Sequence, residues 1–158
     1  MSYESATNQL INTVEAIASS ALVRTGEMGT SFRHDPDFDP ANPDTYPRGD
    51  RTFALLGGKG ATDLRSYGEA SRTQFDEVTL TVIYGAKRSA RDLDVAIRQD
   101  YAVIRAALLD QSNWGQPASG VVNINTGGIE GTPFNVTTIG DGRKALQIAI
   151  DLRHTKRS

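Results

Sequence analysis

The chain has no cysteine among its 158 residues. Disulfides, thiolate metal centres and a cysteine nucleophile are thereby excluded. Aromatic residues make up only 7%, so large ring clusters contribute little to the core. No charge of one sign dominates. The formal net charge is -2, which gives no bulk attraction to nucleic acid or to an anionic membrane. No apolar run approaches the length of a membrane span. The first residues, Met1 to Asn8, are polar and acidic and lack the basic start and apolar run of a secretion signal. The expectation is a soluble protein that folds in a cytoplasm. The sequon-like Asn135-Val136-Thr137 then carries no meaning.

What is present suits one domain. A chain of this length buries roughly 70% of the surface that it exposes when unfolded. With 38% hydrophobic and 23% charged residues, it has an ordinary globular composition. Its 15 glycines point to long loops on a modest core.

Periodicity places the elements. Leu10, Val14, Ile17 and Ala21 fall at helical spacing, which predicts a helix from Thr7 to Val23 with Thr7 or Ser5 as its cap. Met28 to Asp50 holds Pro36, Pro40, Pro43 and Pro47 and can hold neither a helix nor a central strand. It reads as a protruding arm. Arg51–Leu56 reads as a short strand, broken by Gly57-Gly58-Lys59-Gly60 and followed by a loop to Gln74. Phe75–Tyr84 alternates cleanly, with Val78, Leu80, Val82 and Tyr84 on one side, as in a half-buried antiparallel strand. Ser89, with Asp92 three residues on, starts a second helix that runs to Asp110, striped by Leu93, Ile97, Tyr101, Ile104 and Leu108. Three strands close the chain: Val121–Asn125, Phe134–Ile139 and Arg143–Arg153. Asp141-Gly142 between the last two favours a tight hairpin. The expected fold is α+β: a mostly antiparallel sheet, two amphipathic helices packed on one face, and long loops.

No motif carries chemistry. Asp35, Asp37 and Asp39 imitate the start of a calcium loop, but Pro40 sits at the sharp-turn position and Tyr46 replaces the closing Glu. A phosphate loop built on Gly58-Lys59 would need Gly at Phe53 and a hydroxyl at Gly60. His34 and His154 have no partner at helical spacing. Asp76 and Glu77 are neighbours on a strand and point to opposite faces. The arginines Arg88, Arg91, Arg98 and Arg105 are interleaved with acids, which favours a solvated or subunit-contacting face over nucleic-acid binding. No catalytic, cofactor or metal residue is assigned.

The order of elements is more telling than any motif. An alternating strand (FDEVTLTVIY) feeds through a short polar turn into a helix (SARDLDVAIRQDYAVIRAALLD), and the chain ends in ALQIAIDLRH. This resembles the tail terminator family of long-tailed bacteriophages, also called minor tail or tail completion proteins. The resemblance implies a non-enzymatic virion protein without a cofactor. It implies a hexameric ring that caps the tail tube, stops its polymerisation and offers a surface to head-completion or stopper proteins. Genomic DNA would pass through the lumen without specific binding, and no membrane is involved. On this reading Arg48, Arg51, Lys59, Arg65, Arg72 and Trp114 are the residues expected at subunit or tube contacts. A head–tail adaptor or tube-like subunit, and a small ligand-binding domain or enzyme, are the alternatives.

Overall fold

The structure is a computed structural model, and it describes residues 3–22, 31–62, 71–85, 89–110, 121–125, 134–140 and 142–157. The elements in chain order are α1 (Tyr3–Glu15), β1 (Arg33–His34), β2 (Thr52–Thr62), β3 (Ser71–Tyr84), α2 (Ala90–Leu109), β4 (Val121–Asn125), β5 (Phe134–Thr138) and β6 (Lys144–Arg157). The sheet runs β1-β2-β3-β6-β4, with β5 also on β6. Among the described strands only β1 with β2 is parallel; the other pairings are antiparallel. The fold is α+β, as expected.

Strand β6 is the spine. Its first five residues pair with β5, Lys144 through Ile148, and its later ones, Asp151 to His154, pair with β4. Thus β4 and β5 share one edge of β6, end to end, while β3 takes the other edge along the whole strand. The β5–β6 connection is the expected hairpin. Ile139 N donates to Arg143 O at 2.9 Å, and Gly142 adopts φ +86, the left-handed conformation that glycine supplies at little cost.

Strand alternation sorts the side chains. Val78, Leu80 and Val82 pair with Ile150, Ile148 and Leu146, and all six are fully buried. Phe53 and Leu55 extend this layer from β2. Both helices lie on it: Ala6, Leu10 and Val14 of α1, and Leu93, Ile97, Ile104 and Leu108 of α2, join the same cluster. Among the described residues, the opposite face is covered at one end only, by Phe38 and Tyr46 against Ala54, Ile83 and Ile139. The remainder of that face stays partly open, with Leu56 48% exposed among Glu77, Thr79, Gln147, Ala149 and Asp151, which are half-buried.

Several expectations are corrected. Helix α1 starts four residues before Thr7 and ends at Glu15. Thr7 is no cap; its hydroxyl donates back to Tyr3 O and Glu4 O. Beyond Glu15 the chain makes a separate 3-10 turn at Ser19–Ala21. On one continuous helix Ile17 and Leu22 would stand about 140° apart; the break lets both reach the core.

The described part of the Met28–Asp50 segment, from residue 31, does not protrude. Phe32 and Phe38 are 2% and 3% exposed, β1 joins the sheet, and Arg143 donates to Pro47 O at 2.5 Å. The aspartates there make turns: Asp35 Oδ1 accepts from Asp37 N, and Asp39 Oδ1 accepts from Ala41 N. Residues 28–30 lie outside the described residues.

Gly57-Gly58-Lys59-Gly60 does not end β2. It lies inside the strand and absorbs a register shift between Gly57 and Gly60, the signature of a bulge. Tyr3 covers Gly57 so closely that an added Cβ would lie 2.5 Å from its hydroxyl. In its described parts, 57–62 and 71–74, the expected loop is therefore paired strand of β2 and β3; residues 63–70 lie outside the described residues. Strands β3 and β6 likewise run four residues further than expected, to Ser71 and Arg157.

Leu80→Ala should destabilise the fold by about 2–5 kcal/mol. Leu56→Ala, on the open face, should change it by no more than about 0.5 kcal/mol. Urea unfolding of both variants checks the contrast.

Candidate functional site

The most built polar cluster is internal. Arg51 donates through Nε to Asp100 Oδ2 at 2.8 Å and through Nη2 to Oδ1 at 2.9 Å. Tyr84 donates its hydroxyl to Asp100 Oδ2 at 2.6 Å. Arg51, Asp100 and Tyr84 are each 1% exposed. The two-pronged geometry satisfies both carboxylate oxygens, which a buried charge requires. The guanidinium also lies 6.0 Å from the Phe32 ring centroid. Burial, then the Asp100 charge and its hydrogen bond, push the Tyr84 phenol well above its usual value, so it stays a donor at any physiological pH.

Arg51 sits just before β2, Tyr84 ends β3, and Asp100 is mid-way along α2. The cluster therefore ties the 31–51 segment, the sheet and a helix at one point. Arg51 has φ 58, a left-handed conformation costing roughly 1–2 kcal/mol for such a residue. Its backbone is held on both sides, with N donating to Ile83 O and O accepting from Arg33 N. This overturns the expectation for Arg51 as a contact with neighbours: its charge is consumed inside its own chain. Sequence reasoning passed over Asp100. The available signal was an acid on the buried stripe of α2, three residues after Ile97 and four before Ile104, which demands a buried cation.

Of the other expected contact residues, Arg48 alone has a described side chain. Arg48 is exposed. Lys59 lies on β2 and Arg72 on β3, with side chains outside the described set. Arg65 and Trp114 lie outside the described residues. Of the two histidines, His34 packs against Phe53 at 5.4 Å between ring centroids, and its backbone N–H donates to Glu15 Oε2. Among the described residues, no group of three or more His, Asp or Glu could hold a metal ion.

Two surface features remain. A shallow groove of about 230 Å³ lies between the start of α2 and the β5–β6 hairpin, lined by Leu93, Ile97, Val136, Asp94, Arg98 and Lys144. Its cations are engaged: Arg98 pairs with Asp94 at 3.1 Å and lies over Phe134 at 5.5 Å, and Lys144 donates to Thr138 at 2.7 Å. On the open sheet face, Glu77 and Asp151 are direct cross-strand partners. Burial, followed by the Glu77 charge, raises the Asp151 carboxyl above its ordinary value, and Asp151 Oδ1 carries no hydrogen bond. Neither feature presents a nucleophile beside a base.

The chain matches no protein-family model and no curated protein. Among the described residues, no helix is long and apolar enough to cross a membrane.

Asp100→Ala should cost about 3–5 kcal/mol, because it strands the Arg51 charge in the interior. Tyr84→Phe should cost about 1–2 kcal/mol. Thermal melts of the two variants measure the ranking. Asp151 gives a pH signature. An acid whose folded pKa is raised binds more protons folded than unfolded, so its contribution falls as pH rises from the unfolded value through the folded one. Asp151→Asn should raise stability at neutral pH and flatten that fall in a pH series of melts; an unchanged pH profile would remove the role given to this pair.

Proposed function

We propose that the chain is a structural virion subunit, a tail terminator, which closes into a ring on the head-proximal end of a phage tail tube. The ring would end tube polymerisation and offer the joining surface for a head-completion protein. The observation that carries this reading is the one-sided sheet. Both helices cover a single face, and among the described residues the other is covered at one end alone, leaving a lone domain with surface that copies or a tube can use. The element order behind the resemblance, a helix, a long loop, a short apolar strand, an alternating strand, a helix and three strands, compares with α1, β1, β2, β3, α2, β4, β5 and β6 in the fold, where β1 is added and β2 is longer than expected.

Folding of residues 31–50 onto their own chain changes which parts do the joining. That segment is not a clasp, so contacts fall to the sheet. The open face carries Glu77 and Asp151, with exposed Arg153 on the same alternation. A face of that balance gives phosphates little to hold, which suits DNA that passes without being gripped. A head-to-tail contact that closes by rotation makes a ring, and each contact should bury more than about 1,000 Å² in total.

Light scattering of the purified chain, alone and with tail-tube protein, tests the reading. The expected outcome is a closed oligomer of about six copies in at least one condition, with tube growth arrested. A monomer that leaves tube length unaltered in both conditions would refute it.

A further inference from the structure

The sheet has two open edges, and they match each other. On one side, β1 pairs with β2 only at Thr52 and Phe53. Beyond Phe53, among the described strands, nothing pairs with β2 on the side away from β3. Phe53 O accepts from Asp35 N on that side. Alternation therefore turns the N–H and C=O of Leu55 and Gly57 the same way, outward from the sheet. On the other side, among the described strands, β4 pairs with β6 alone.

These edges lie level across the sheet. Gly60 pairs with Asp76, Asp76 with Leu152, and Leu152 with Ile124. Thr62 pairs with Gln74, Gln74 with His154, and His154 with Val121. Their directions also agree. β2 runs against β3, β3 against β6, and β6 against β4, so β2 and β4 run oppositely. A second copy set beside the first, in the same orientation, would bring its β2 against β4 as one more antiparallel pair.

We propose that the free edge of β2, from Leu55 to Thr62, pairs with β4, Val121–Asn125, of a second copy of this chain. This inference rests on the ring reading and names its interface. The contact is head-to-tail, uses two different surfaces of each copy, and so leaves no limit at two copies. β1 occupies the β2 edge at the level of β5, which sets the contact at β4. A bulge and a Lys on β2 are also devices that discourage edge pairing. The glycines, however, leave the backbone uncovered by side chains, which permits close approach of another strand.

Hydrogen–deuterium exchange of the isolated chain and of the tube-bound assembly tests the interface. Peptides covering residues 55–62 and 121–125 should both slow on assembly, on the order of tenfold or more. A closed assembly in which both exchange as in the isolated chain overturns the edge pairing and leaves the ring standing. Protection of 55–62 alone means β2-to-β2 dimers and overturns it too. Absence of any assembly overturns the ring and the interface together. Leu55→Pro removes an outward N–H, which an edge strand tolerates, and Leu55→Ala is its packing control. Both should fold with similar melts, and only Leu55→Pro should lose assembly; equal assembly of the two overturns the proposal.

Discussion

The architecture depends on one constraint: the apolar face of a long antiparallel sheet is buried by two helices, and among the described residues no equivalent layer covers the other face. Val78, Leu80 and Val82 with their β6 partners require cover, since each fully buried aliphatic side chain contributes about 1.5–3 kcal/mol. Helices α1 and α2 provide it. The opposite face asks for less, because its residues are mostly threonine, alanine, glutamine and acids. A short proline-stiffened segment seals one end of it through Phe38 and Tyr46. The uncovered remainder follows from sequence alternation.

The Arg51–Asp100–Tyr84 cluster joins these parts. Packing alone would let the 31–51 segment slide, because its apolar anchors are few. A charge pair with both carboxylate oxygens occupied has one geometry, and departures from it leave a buried charge unsatisfied. Asp100 gives up an apolar position on α2, and Arg51 accepts a left-handed backbone. In return the helix, the end of β3 and the start of β2 share a fixed point. The segment that resembled an arm in the sequence is thereby part of the domain.

Much of the fold was legible because its signals are local. Period-two alternation in β3 and β6, Ser89 at the head of α2, where its hydroxyl accepts from Asp92 N, and Gly142 at the hairpin each follow from a few neighbouring residues. What escaped was decided at long range. Glycines in β2 read as a break, yet the β3 ladder carries the strand through them with a bulge. Phe32 and Phe38, set among prolines and aspartates, read as loop residues until Arg51 and Tyr46 gave them partners. Helix α1 stopped early because Ile17 and Leu22 had separate places in the core to fill. Arg51 read as a surface cation for the same reason: its partner lies 49 positions away.

Electron microscopy of tail tubes assembled with this chain tests the central claim most directly. The account predicts tubes that carry one closed ring at a single end, with the chain absent from the tube wall. Bare tube ends, or the chain spread along the wall, would contradict it.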